Sequence, residues 1–283
     1  MNGVGILAED VNKRLNGMID SVQVRNNADT NTYSTVSPYF QAFSSADLMA
    51  LRQTIPLGAS IDAQKNFEAI RQKALSNILS KVRAENDQVD LSDTNLSWMN
   101  LSGIDLSGVN LKKANLIQTN LSNATLSNAD LRGAYMSWAN LQNATLNDAD
   151  MREVDLVGAD MREAKLIGKK TNLEGANLSG ADLRGAELCH TILIKAALSW
   201  ADLSYAKLER VNLREANLYH AILEETSLYL TKLENANLES VNLKDAVLEA
   251  IDLRGVKLSG VNLQEAKVSK NLLTYKMPTY VKD

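Results

Sequence analysis

The sequence predicts a solenoid: a coil that turns a corner every five residues, preceded by a small helical region. The first observation is the period itself. An interior leucine recurs at Leu91, Leu96, Leu101, Leu106 and every fifth residue to Leu166, with Met at 136, 151 and 161. After two extra residues, Lys169 and Lys170, the beat resumes at Leu173 and runs to Leu263 and Val268, giving 36 units in all. Repetition on this scale outranks every other signal in the chain.

The second observation is that positions within a unit are unequal. Two residues before each centre stands a small or β-branched residue, Ala in 20 of the 36 units, and only Met99 is larger. The residue just before the centre is most often Asn or Asp, and the two after it vary among Ser, Gly, Arg, Glu, Lys and aromatics. Close packing punishes a volume change of one methylene, so the strict pair is predicted to be interior and the tolerant positions outside. A period of five is neither 3.6 nor 2, which excludes the ordinary amphipathic helix and the half-buried strand. A helix would spread these leucines around its whole circumference. Gly, Asn, Asp and Ser stand where corners would need them.

The stretch "ANLIQTNLSNATLSNADLRGAYMSWANLQNATLNDAD" resembles the pentapeptide-repeat family, whose motif is A(D/N)LXX. The resemblance implies an all-β solenoid: a right-handed quadrilateral β-helix of about nine coils, four units per coil, in which the centre and the small residue point inward. The two blocks of units are then four and five whole coils, with a bulge at residues 168–171 between them. Three segments follow: 1–88, a helical region and solenoid cap; 89–270, the repeat; and 271–283, a C-terminal cap.

Open ends of such a rod expose strand edges and interior leucines. Both flanks are suited to cover them. Residues 62–84 read as one helix, capped by Ser60 or Asp62, with Phe67, Ile70, Ala74, Leu75, Ile78, Leu79 and Val82 as an apolar stripe. The tail "NLLTYKMPTYVKD" supplies a plug of Leu272, Leu273, Tyr275, Met277, Tyr280 and Val281. Upstream, residues 4–23 and 44–53 read as short helices around a polar loop from Arg25 to Pro38.

Charge narrows the partners. The chain carries 30 Lys and Arg against 34 Asp and Glu, a net charge of −4, with no basic stripe to neutralise phosphates. Direct nucleic-acid binding is therefore not expected. No apolar run is long enough for a transmembrane segment, and "MNGVGILAEDVNKRL" meets charge too early for a signal peptide. A single cysteine fits a reducing compartment. The expected location is the cytoplasm of a bacterial-type cell, or outside it by a signal-peptide-independent route.

No catalytic residue, metal or cofactor is expected. The two histidines, His190 and His220, project onto opposite sides of a four-sided coil. Cys189 adjoins His190, but neighbours in an extended segment diverge and no third group orients them. Asp130 and Asp150 stack one coil apart, where a carboxylate pair more often binds turn backbone than a cation.

Read as columns of the implied coil, one side carries Trp98, Trp138 and Trp200, the three tryptophans of the chain, all at the second position after the centre. Tyr135, Tyr219 and His220 join them, and the only charges are Asp155, Glu239 and Lys257. Aromatic enrichment with charge depletion marks the core of an interface. This column is the predicted protein-binding face. A second group, Ile192, Ile194, Tyr205, Ile222, Tyr229 and Leu230, encircles the rod and suits self-association. The expected function is a non-catalytic protein-protein interaction scaffold, as a translocated effector or an assembly component, with a protein partner or a second copy of the chain. The alternative comes from the resemblance: some members mimic DNA and protect gyrase from inhibitors, with a markedly negative surface. This chain is only mildly acidic.

Overall fold

In the computed structural model the chain divides into two compact units, Met1–Ser44 and Ser45–Asp283. The structure describes Asn66, Ala69, Ile70 and residues 72–76 and 89–268, all in the second unit. The expected helices at 4–23 and 44–53, the loop between them and the C-terminal plug lie outside the described residues.

The repeat winds into a four-sided coil. Parallel bridges join Asp90 to Asn110, Asn95 to Asn115, Asn100 to Asn120 and Asp105 to Thr125, and the offset of 20 residues persists along the rod. It widens to 22 only across the insertion, as in Asp150 with Asn172 and Lys165 with Glu187. Three of the four columns thread nine coils, about 43 Å at the usual inter-strand spacing, and the Asn100 column ends after eight, at Asn242. The straight sides are so short that, among the described residues, only Val247–Leu248 (β1) and Lys267–Val268 (β2) form paired strands, in parallel.

Inside, the centres from Leu91 to Leu248 are almost wholly buried, as are the small residues paired with them apart from the half-buried Ile104. Each such Leu contributes on the order of 1.5 to 3 kcal/mol over its exposed state. Threonines in the small slot satisfy their hydroxyls on backbone: Thr119 Oγ1 donates to the Leu96 carbonyl at 2.7 Å and Thr226 Oγ1 to Leu203 at 2.9 Å.

Each corner is a turn closed from the small residue's N–H to the preceding centre's carbonyl, as in Ala114 to Leu111 at 3.0 Å. The third residue of the turn has positive φ in every unit from Leu91 to Leu258, the mark of a type II turn. Twenty-four of these residues are not glycine. The second position after the centre is therefore not as free as its variability suggests, because an L-residue held there costs on the order of 1 to 2 kcal/mol. The Asn or Asp before the centre has a matching duty. Its side-chain oxygen accepts the N–H two residues on, as Asn115 does from Ile117 at 3.1 Å.

At the insertion, Asp148 N–H donates to Thr171 Oγ1 at 2.8 Å, where the regular ladder would supply a backbone carbonyl. Asn147 accepts from Ile167 N–H at 2.9 Å and Asp148 from Lys170 N–H at 3.3 Å. The two lysines loop out while their neighbours restore the lost bonds.

Asn66, Ala69, Ile70 and residues 72–76 are helical, within the predicted helix. Ala74 and Leu75 are buried, and Gln72 Nε2 donates to the Asn100 carbonyl at 2.8 Å, so this helix sits on the first coil. Two expectations fail. Ile70 is 51% exposed although it was placed on the apolar stripe, because the buried contact falls on Ala74 and Leu75 instead. Val268, the last predicted interior centre, is 44% exposed, since a 3-10 helix at Leu263–Glu265 replaces the regular corner before it.

A candidate interaction edge

The bridge register places the residue before each centre in the middle of a side and the two after it at a corner. Trp98, Trp138 and Trp200 therefore lie along one edge of the rod, not on a flat face as the column reading supposed. Their φ values are 64°, 61° and 63°, and they are 56%, 48% and 63% exposed. Left-handed backbone tilts the Trp138 and Trp200 side chains toward the next coil. A Cβ built on Gly158 would lie 2.7 Å from the Trp138 ring, so the indole rests where any larger residue would clash. Trp200 stacks on His220, with ring centroids 4.2 Å apart and planes 16° apart, and Tyr219 meets both rings edge-on. Consecutive slots stacked in this way project their rings outward like fins.

Along this edge the slots read Trp98, Gln118, Trp138, Gly158, Gly180, Trp200, His220, Ser240 and Gly260. Nothing lies within 4 Å of a Cβ built on Gly180, which leaves a notch beside the Trp200 fin. The Gln118 side-chain oxygen, between the slots of Trp98 and Trp138, is buried without a hydrogen-bond partner. Tyr135 stands beside Trp138 on the adjoining side, 40% exposed.

The second predicted group is not brought together. Ile192 and Ile194 are half-buried on one side, Tyr205 and Ile222 stand on the opposite one, and Tyr229 and Leu230 lie on the side away from the tryptophans. Only Trp200, Tyr219 and His220 make a ring cluster among the described residues. Gly158 and Gly180, which shape the edge, escaped the sequence reading. Glycine recurring at the second position after the centre was the available signal.

Two sides of the rod are charged in an ordered way, one lying beyond the charge-poor side of Tyr135 and one adjoining the edge itself. On one, Arg132 and Arg152 each clasp the aspartate two residues before them, Nε and Nη2 to the two carboxylate oxygens of Asp130 and Asp150. On the other, Arg162 and Arg184 do the same to Asp160 and Asp182. The guanidinium hydrogen bonds hold the carboxyls of Asp130 and Asp160 below their ordinary range. Asp130 and Asp150 do stack one coil apart, and each holds an arginine. No grouping of His, Cys, Asp and Glu suited to a metal ion occurs among the described residues.

His190 and His220 fall on opposite edges, as projected. Cys189 Sγ lies 3.9 Å from the Lys207 carbonyl, and burial, aided by Glu209, pushes its thiol up. That is the reverse of what a nucleophilic thiolate needs. No described helix is long and apolar enough to cross a membrane.

Comparison with known proteins agrees with this geometry. The family model "Pentapeptide repeats" matches in eight copies, over residues 90–128, 129–168, 171–209, 196–235 and 231–269. Among solved structures the chain is similar to HetL, a pentapeptide repeat protein involved in heterocyst differentiation regulation from the cyanobacterium Nostoc sp. strain PCC 7120. That match has 28% identity and a TM-score of 0.34, covering 67% of this chain and 92% of HetL. It is similar also to QnrB1, a plasmid-mediated fluoroquinolone resistance protein, at 20% identity and TM-score 0.43, covering 65% and 91%. A third, Rfr23 from the cyanobacterium Cyanothece 51142, has 23% identity and TM-score 0.23, covering 71% and 99%. No curated protein matches the chain.

Proposed function

This chain belongs to the pentapeptide-repeat family, a family of right-handed quadrilateral β-helices, and we propose that it is a non-catalytic protein-binding scaffold that uses the tryptophan edge. One observation carries the reading: three exposed tryptophans occupy one corner column at positive φ, a conformation that Gly or Asn would adopt at less cost. The edge and the adjoining side of Tyr135 bear few charges, whereas Arg–Asp ladders stand on the sides at either margin of that strip. An uncharged aromatic strip between charged margins is the usual layout of an interface core within its rim. Against the DNA-mimicking alternative stands the pairing of those ladders. Asp130, Asp150, Asp160 and Asp182 are each neutralised in place by an arginine, so they form no phosphate-like line.

The test replaces Trp138 and Trp200 by Ala in the intact chain. Association with the partner recovered by pull-down should weaken by about 2 kcal/mol per true hot spot. Thermal unfolding should shift little, since both side chains are about half exposed or more. Loss of stability with intact association would reassign the tryptophans to structural packing.

A further inference from the structure

The two Arg–Asp ladders end differently. On one side Asp130 and Asp150 meet Arg132 and Arg152, and Asn172 follows in the column, so each carboxylate has its own guanidinium. On the side adjoining the tryptophan edge three aspartates are stacked, Asp160, Asp182 and Asp202, but only the first two are followed by arginine. Ser204 stands where a third arginine would. Its N–H and its Oγ both donate to Asp202 Oδ1, at 3.0 and 2.5 Å. In the other rungs the Oδ2 oxygen accepts from Nη2 of the arginine. Asp202 Oδ2 accepts no hydrogen bond among the described residues, and its ion-pair contact is Arg184 Nε, 3.8 Å away and committed to Asp182. With Glu163, four carboxylates face two guanidiniums on this side between residues 160 and 205.

Apolar groups frame the open oxygen. Trp200 stands at the corner entering this side and Tyr205 at the corner leaving it, in the same coil as Asp202, while Ile222 is the bridge partner of Asp202 one coil on. All three are exposed. One face of the Trp200 indole is covered by His220. The other looks toward Gly180, where nothing lies within 4 Å of a built Cβ, so a planar group has room to lie on it beside Asp202. A carboxylate short of a donor, next to an open indole face and within an acidic surplus, suits a cation that is flat and forked. An ammonium is a compact, strongly hydrated point charge. A guanidinium offers both the fork for a carboxylate and the face for an indole.

Resting on the reading of the tryptophan edge as a protein-binding interface, we infer that the partner delivers an arginine here, stacked on Trp200 and donating to Asp202 Oδ2 as the missing rung of the ladder. The partner is thus a protein segment whose exposed arginine has uncharged or basic neighbours, because an acidic one would oppose the surplus of carboxylates.

A phage-displayed library of random dodecapeptides, selected on the full chain, tests the inference. Clones retained by the wild-type chain and lost by the Asp202→Asn chain should share an arginine. That variant keeps the fold, since Asn already occupies the same column at 100, 120, 140 and 242. By calorimetry, a synthetic peptide from such a clone should bind Asp202→Asn about tenfold more weakly, the loss expected for a charge pair between the exposed and buried extremes. Ser204→Arg, which supplies the rung from within the chain as Arg162 and Arg184 do, should weaken the peptide at least as much. Glu174→Gln, which removes a carboxylate from the opposite side of the rod, should leave binding unchanged. Failure to retain any clone, selected peptides without arginine, equal binding when lysine replaces that arginine, or full binding by the Ser204→Arg chain would overturn the inference. If peptide binding still required Trp138 and Trp200 in that event, the interaction edge would stand with a different chemistry of partner. Binding that ignored those tryptophans as well would remove both readings.

Discussion

The two ends of the rod are made from the same five-residue unit and end differently. At the first coil, Leu91, Leu96, Leu101 and Leu106 are sealed from water, and the helix carrying Ala74 and Leu75 is hydrogen-bonded to that coil through Gln72. At the last, Leu258 is half-buried, Val268 is exposed, and a 3-10 turn with Asn262 as its cap interrupts the regular corner. Burial of a repeat's centre is thus a property of its neighbours. A solenoid unit cannot cover its own interior, so stability at each end depends on what is stacked there.

The largest effect that would sharpen this contrast is removal of the N-terminal cap. A chain beginning at residue 85 should lose the seal over Leu91 and Leu96 and elute as oligomers or aggregate in size-exclusion chromatography. A monodisperse truncated rod would show that the first coil needs no cover. Next comes a matched pair of cavity substitutions. Leu91→Ala should cost about 2 to 5 kcal/mol in denaturant unfolding, whereas Val268→Ala should cost under about 0.5 kcal/mol. Equal costs would erase the distinction between the ends.

A smaller change is expected from Gln72→Ala, which deletes the bond to the Asn100 carbonyl. The cost should be about 1 kcal/mol, with faster amide exchange confined to the first coil. The smallest effect concerns acid and the other end. Arg254 grips Asp252 in the last coil, and those hydrogen bonds hold its carboxyl below the ordinary value. A carboxyl lowered on folding stabilises the folded state fully above its unfolded value of about 3.9, and the contribution drains away as pH falls through the folded value. Amide protection around Arg254, taken relative to the intrinsic exchange rate at each pH, should therefore fall below about pH 4 and be flat above it. The Asp252→Asn chain should lose that dependence.

Much of this was legible in the sequence because it is local or strictly periodic. The fifth-residue leucines and their small companions identify the interior, since only an interior punishes volume so uniformly. The 22-residue step at Lys169 and Lys170 could be counted directly, and the alignment of Trp98, Trp138 and Trp200 follows once four units make a coil. The helix was legible from its apolar spacing, but the residues of that stripe that pack on the coil, Ala74 and Leu75 and not Ile70, were not. That choice is made by the surface presented by the first coil.

By itself, then, the sequence determined the period, the identity of the buried pair, the place of the insertion and the column that gathers the tryptophans. Each of these depends on spacing along the chain. Tertiary structure alone decided that the tryptophans stand at a corner in left-handed backbone, that Trp138 lies over Gly158 and Trp200 over His220, and that Gly180 leaves a notch between them. It also decided that Asp130 and Asp150 hold arginines. The physical reason is that side-chain tilt follows from φ, and stacking partners lie 20 or 22 residues away, so both become visible only when one coil rests on the next.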